Sequence, residues 1–219
     1  MSLPVTVIIA ALDEEDRIGT AVDSAFGAGA AEVIVADGGS VDETRRVATA
    51  RGALVLDCPS MRARQFNRGA EAAQFDALIF LHADTILPAG AAQAVIDALQ
   101  RAEFGGFRVA FAEPAWKLRL AAFMINLRTR ITRCPWGDQA QFIRREIFRR
   151  DGGFREIPLM EDYELAVRMR RRATVLPLTV TTSGRRFLKK GLLRTAALNW
   201  TIVIAWRLGV RAERLARWY

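Results

Sequence analysis

Short apolar runs punctuate the first half of the chain, over 4–10, 32–37, 53–56 and 77–81. None alternates strictly with polar residues, so each reads as a strand covered on both faces, as inside a parallel sheet. Between them lie stretches with helical spacing. Acidic residues from Asp13 to Asp16 open the first helix, where they oppose the positive end of its dipole. It runs to about Phe26, and Gly27 and Gly29 close it. Ser40 and Glu43 form a capping box that starts a second helix at Val41. A third helix spans 61–74 with Arg62, Gln65, Phe66 and Gly69 on one face, and a fourth runs from Pro88 to about Ala102. Strands alternating with helices predict an α/β fold with a mixed, mainly parallel sheet flanked by helices.

The pattern changes after residue 103. A strand with a glycine kink is predicted over 104–111, then a helix over 115–130 with one apolar face (Leu118, Ala122, Ile125) and one basic face. A loop over 135–141 enters a strand, and a helix opens at 158 and continues to Arg172. The arginines from Arg168 to Arg172 read as a solvated face. The apolar stretch 191–210 predicts a C-terminal helix that buries Leu198, Ile202 and Ala205. Its uncharged core, 195–206, is too short to span a bilayer. It packs on the domain, on a second subunit of a homodimer, or along a membrane surface as a peripheral contact. The expected division is 1–103, 104–186 and 187–219.

Composition narrows the function. The chain has 219 residues, is 51% hydrophobic and carries a net charge of +8, nearly all of it from arginine. Arginine forks suit phosphate oxygens, so acidic partners are expected: phosphates, nucleic acid or anionic lipid. Cys58 and Cys134 stand far apart without a CxxC pattern, which signals neither a zinc site nor a disulfide framework. A reducing cytoplasm follows as the expected location. The first residues lack a basic leader and read as no signal peptide.

Candidate chemistry sits where predicted strands end, the place at which open α/β sheets bind ligands. His82 and Asp84 follow the run 77–81, two residues apart, and such a pair can share a divalent metal. The alternative is a core histidine and an aspartate that starts a turn. Asp37, before Gly38 and Gly39, can accept a nucleotide base N–H or ribose hydroxyl, or can simply cap its own turn. Arg62, Arg64 and Arg68 form either a pyrophosphate contact or a solvated face, and Glu161 and Asp162 standing alone read as helix caps.

Taken together, these stretches resemble one family. The segment 7–15, ending Leu12-Asp13-Glu14-Glu15, resembles the "P-x-x-N-E-E" opening of family 2 glycosyltransferases, with Asp13 in place of asparagine. Asp37-Gly38-Gly39-Ser40-Val41-Asp42 resembles their "D-D/G-G-S-x-D" element, and His82-Ala83-Asp84 stands at their D-x-D metal motif. Glu161-Asp162 matches the "E-D" motif that carries the catalytic base. The short length, His82 to Thr85, and the stretch 62–70 resemble a subfamily named for its association with radical-SAM and selenium-related genes, although Met61 replaces its usual glycine.

The resemblance implies a GT-A fold and inverting transfer from a UDP-sugar or GDP-sugar, UDP favoured, to an acceptor hydroxyl, a lipid-linked acceptor included. It implies donor contacts at Ala10, Leu12, Glu14, Asp37, Gly38, Arg62, Arg64, Asn67, His82, Ala83 and Asp84, and acceptor contacts at Trp136 and Gln139. Asp84 and His82 would hold Mn2+ or Mg2+, the imidazole tilting the preference towards manganese. Asp162 would be the general base, with Glu161 orienting it. Nucleic acid is not among the implied partners, and the implied place is the cytoplasm or the inner face of its membrane. Two other readings remain open. A nucleotidyltransferase usually carries a glycine-rich basic loop after the first strand, where this chain has acids. A non-enzymatic basic module explains the arginines but not the carboxylates at strand and helix ends.

Overall fold

The computed structural model describes residues 4–218. Its strands are β1 (Val5–Ala11), β2 (Glu32–Asp37), β3 (Leu54–Asp57), β4 (Ala77–His82), β5 (Thr85–Ile86), β6 (Phe104–Phe111), β7 (Phe142–Arg144) and β8 (Ala173–Thr182). Its helices are α1 (Glu15–Gly27), α2 (Thr44–Ala50), α3 (Arg62–Ala72), α4 (Ala91–Leu99), α5 (Trp116–Thr132), α6 (Arg145–Arg150), α7 (Glu161–Met169), α8 (Arg185–Lys190), α9 (Leu192–Arg207) and α10 (Ala212–Ala216).

The strands form one mixed sheet in the order β3-β2-β1-β4-β7-β6-β8-β5. The block from β3 to β4 is parallel, β7 runs antiparallel to both β4 and β6, and β8 is parallel to β6. Only Ala83 and Asp84 separate β4 from β5, yet β5 pairs with β8 at the far end of the order. The sheet therefore curls, and Asp84 sits at the seam.

Alternation along the strands feeds two cores. Val7, Ile9, Ile79 and Leu81 pack with α1 and α4 on one face. Ile8, Ile34, Leu78 and Phe80 pack with α3, α6 and α7 on the other. This double burial is what makes the strands read as unbroken apolar runs. α3 lies so close to β1 that a Cβ on Gly69 would come within 2.3 Å of the Ile8 side chain. A third cluster joins α7 to the C-terminal helices through Tyr163, Ile202, Val203 and Leu215. Leu198 and Ala205 pack partly buried against it, so the C-terminal helix does cover its apolar side with protein.

Four expectations need correction. The second helix starts at Thr44, not Val41. Ser40 donates its hydroxyl to Asp37 instead of capping a helix, Val41 is 93% exposed, and Asp42 accepts the Thr44 N–H at 2.9 Å. The ten-residue strand β8 has no counterpart in the sequence pattern. Pro177 interrupts it, and the β6–β8 register shifts there, from Gly106 opposite Val175 to Arg108 opposite Thr179. A proline is tolerated in a strand at such a bulge, where no ladder bond is lost. α7 stops at Met169 and a 3-10 turn carries on to Arg172; Arg168 is no solvated charge, pairing with Glu164 at 2.9 Å. Finally, the outward face of α5 is apolar rather than basic: Trp116, Leu120, Phe123, Met124, Leu127 and Ile131 are exposed there.

Candidate active site

The carboxyl ends of β1, β2 and β4 open onto one region. Ala10 lies in register with both Ala36 and His82. Two loops line this edge and are laced together by backbone-to-side-chain bonds. Asp13 has φ 51°, a left-handed conformation that asparagine and aspartate tolerate best. Its carboxylate accepts the Val41 N–H at 2.9 Å, while Glu14 N–H donates to the Thr44 hydroxyl at 2.8 Å. Asp37 is fully buried and turned into its own loop, accepting N–H bonds from Gly39 at 3.1 Å and Ser40 at 3.0 Å. Gln65 of α3 ties the two strand ends by donating to the carbonyls of Ala11 and Ala36, each at 2.8 Å. Gly38 lies directly against that amide. Leu12 is exposed at the rim, and Ala83 is buried.

The basic helix α3 does not present a row of free arginines. Arg64 pairs with Glu156 at 2.8 Å. Asn67 bonds the Phe154 backbone in both directions, at 2.9 Å each. Arg62 reaches across to Glu161 at the start of α7. Three residues expected at the donor thus also fasten the first half of the chain to the second.

A second group of side chains gathers around Asp162. The Gly137 N–H donates to its Oδ2 at 2.7 Å, and the Tyr163 N–H donates to its Oδ1 at 2.7 Å. A Cβ on Gly137 would meet His82 Nε2 at 2.9 Å and Asp162 Oδ2 at 3.0 Å, so these two atoms face the same small space. Glycine is needed there because any side chain would fill it. The imidazole stacks on Phe66, ring centroids 6.2 Å apart.

Four buried polar atoms among the described residues have no hydrogen-bond partner: His82 Nε2, Arg128 Nε, Asp138 Oδ1 and Glu161 Oε2. All four belong to this neighbourhood. Leaving such atoms unpaired costs stability, and proteins keep them where a ligand or reaction uses them. Asp138 was not singled out by the sequence. The signal was its place between Trp136 and Gln139, next to Gly137.

Electrostatics separate the roles of these groups. Burial, with the Arg62 cation beside it, pushes the His82 imidazole down to about 3 against the pull of Asp162, so it is neutral at pH 7. Burial pushes Asp138 up to about 6, opposed by Arg128 and reinforced by Asp162. Burial also raises Glu161, opposed by Arg62. Burial opposes the charge on Arg62, but Glu161 and Asp162 keep it protonated. For Asp138 the folded chain binds a proton more tightly than the unfolded chain, so its contribution to stability falls as pH rises from about 4 to about 6. Asp138→Asn should therefore gain thermal stability over the parent at about pH 7.5 and gain much less at about pH 4. Melting curves across that range check it; an equal shift at both ends would mean that Asp138 ionises normally.

Trp136 and Gln139 differ in what they offer. Arg128 lies over the Trp136 ring at 3.7 Å, and Tyr163 meets it edge-on. Gln139 is buried: its Oε1 accepts from Thr129, Arg128 and the Trp136 N–H, and its Nε2 donates to Phe107 O at 2.9 Å. These bonds make it a support of the loop that carries Trp136 and Asp138.

Asp84 has other neighbours. Its Oδ1 lies 3.4 Å from the Thr85 hydroxyl and 3.5 Å from that of Thr182, and Arg185 stands 3.8 Å away while pairing with Glu14 at 2.8 Å. Burial raises its pKa, opposed by Arg185. Its long contacts leave carboxylate lone pairs to spare, which fits a divalent ion. His82 does not fit as the second donor, because its free nitrogen turns towards Gly137 and Asp162. Among the described residues no group of three or more His, Cys, Asp or Glu side chains could hold a metal ion.

The model of Glycosyl transferase family 2 matches residues 6–158, which includes the carboxyl ends of β1, β2 and β4 and stops just before Glu161. The chain belongs to glycosyl transferase family 2. That membership makes it an enzyme and displaces both the nucleotidyltransferase and the non-enzymatic readings. Among solved structures, this family 2 enzyme is similar to glucosyl-3-phosphoglycerate synthase from Mycobacterium tuberculosis, in a complex with Mn2+, UDP and glucosyl-3-phosphoglycerate. The identity is 18%, over 95% of this chain and 81% of that one, with a TM-score of 0.62. It is also similar to S. aureus TarS 1-349 in complex with UDP, at 15% identity over 85% of this chain and 63% of that one, with a TM-score of 0.65. These likenesses establish the GT-A glycosyltransferase fold. No curated protein matches the chain in sequence.

Proposed function

We propose that this enzyme transfers a sugar from a nucleoside-diphosphate sugar, UDP favoured, to an acceptor hydroxyl with inversion. The carrying observation is the gathering of Asp162 with His82, Asp138 and Glu161 beside the carboxyl ends of β1 and β4. The two similar structures support the donor, since both are described with UDP.

The donor nucleotide lies against the laced loops, with Asp37 and Gln65 holding their shape and Ala10, Leu12, Gly38 and Ala83 at the contact. Asp84 would hold a divalent ion, with Glu14 near it. When bound, the ion would neutralise charge on the departing diphosphate as a Lewis acid. Arg185 stands ready on the same carboxylates and adds a positive charge there.

Asp162 takes the proton from the acceptor hydroxyl. Its two backbone donors fix the carboxylate and leave one lone pair on each oxygen for the incoming group. Glu161, clamped by Arg62, anchors the turn from which Asp162 projects. Neutral His82 adds no charge beside the base and can hydrogen-bond the sugar or the acceptor. Trp136, with Arg128 on its face, forms the wall on the acceptor side.

UDP should bind about tenfold or more tightly with Mn2+ than with a chelator, a difference of roughly 1.4 kcal/mol or more. Asp84→Asn should remove most of that difference. Titration calorimetry measures both; equal affinity with ion and with chelator would sink the metal assignment. A thermal-shift panel tests the donor class, because a ligand that binds only the folded state raises its melting point. No shift from any nucleoside-diphosphate sugar, with or without manganese, would sink the donor assignment.

A further inference from the structure

α5 is apolar on two opposite sides. At about 100° per residue, Leu118, Ala121, Ala122 and Ile125 share the side turned to the sheet, and the first three are buried. Trp116, Leu120, Phe123, Met124, Leu127 and Ile131 share the other side and face solvent, Phe123 at 62% and Ile131 at 74% exposure. This stripe runs the whole length of the helix. Scattered exposed apolar residues need no explanation, but a continuous stripe marks an interaction surface.

The charges beside the stripe narrow the partner. Lys117 lies on one flank, Arg119 and Arg130 on the other, and Arg133 follows the last turn. None of these four makes an ion pair with a described residue. No aspartate or glutamate occurs anywhere from 116 to 137. α9 packs against α5 and repeats the pattern, with Trp200, Ile204 and Leu208 exposed. No acidic residue occurs from 183 to 212 either. A second copy of this chain would set like charges against each other across a twofold axis. An anionic lipid surface meets both features, apolar residues entering the acyl boundary and arginines meeting headgroups. No helix among the described residues is long and apolar enough to cross a membrane.

We propose that the outward face of α5, continued by α9, docks this enzyme on an anionic membrane surface. Arg128, on the same flank of α5 as Lys117, and Thr129, on the buried side, bond Gln139 in the loop beside Asp162. Docking therefore brings the acceptor side of the site next to the lipid.

Vesicle co-sedimentation tests this with the full chain. Vesicles of phosphatidylcholine with phosphatidylglycerol should bind the protein, vesicles of phosphatidylcholine alone should bind about tenfold less, and raised salt should release it. Phe123→Ser with Leu127→Ser should lower binding about tenfold while circular dichroism and the melting point stay unchanged, because both side chains face solvent. Arg119→Gln with Arg130→Gln should abolish the preference for phosphatidylglycerol and spare the fold. Three results would overturn the proposal. The parent protein could ignore the anionic vesicles, or the substitutions could leave binding intact. Light scattering could also reveal a dimer that the Phe123 and Leu127 substitutions dissociate, which would assign the face to a second copy.

Discussion

Asp162→Asn should lower turnover about a hundredfold or more while leaving donor affinity almost unchanged, the range typical when a general base is lost. The substitution keeps the shape of the side chain and one of its two backbone contacts, since the single amide oxygen can still accept the N–H of Gly137 or that of Tyr163. What it removes is the ability to take a proton. The effect should appear in kcat, with little change in the KM for the donor, because the proposed function puts Asp162 on the acceptor side and Asp84 on the diphosphate side. Steady-state kinetics with a nucleotide sugar and any acceptor that supports turnover will separate the two. Normal turnover, or a loss confined to donor affinity, would show that the two halves have been assigned the wrong way round.

The second large effect concerns stability. Phe80 is buried in β4 among Phe66, Phe148 and Phe154, with ring centroids 4.8 to 5.2 Å away. Those rings come from α3, α6 and the turn before α7, so Phe80 is the point where three segments meet the sheet. Phe80→Ala should cost about 3–5 kcal/mol, the lost transfer energy plus a cavity that the close-packed rings cannot collapse to fill. At roughly 2–4 °C per kcal/mol for a chain of this size, the melting point should fall by about 6–20 °C. Phe80→Leu should restore most of it. A loss below about 1 kcal/mol in urea titration would mean that the cluster repacks freely.

Much of the first half of the chain was legible from the sequence because its strands are buried on both faces. Unbroken runs such as 32–37 and 77–81 then mark the strands directly, and their ends mark the site. The second half was harder. β8 hides behind Pro177, because proline argues against a strand unless a bulge is known to be there. The first turn after Asp37 was misread because serine and glutamate at capping spacing describe a local option, which Asp37 overrides by taking the serine hydroxyl. The partners of α3 were hidden for a similar reason: Arg62, Arg64 and Asn67 bond residues more than eighty positions away, at Glu161, Glu156 and Phe154. The pairing of His82 with Asp84 on one ion followed from spacing along an extended strand. The turn at Ala83 and Asp84 breaks that spacing. Asp138 escaped notice because only the folded loop brings it beside Asp162 and Arg128.

The sheet's strand order has a consequence for how the chain is made. β7 must enter between β4 and β6, both of which leave the ribosome before it, and β5 waits for a partner almost a hundred residues further on. A nascent chain can zip β1 to β4 as they emerge, but the seam at Asp84 stays open until Thr182 and Arg185 are synthesised. Translation thus sets the order of assembly: a prematurely terminated product lacks the Thr182 and Arg185 contacts to Asp84, however well its first half has folded.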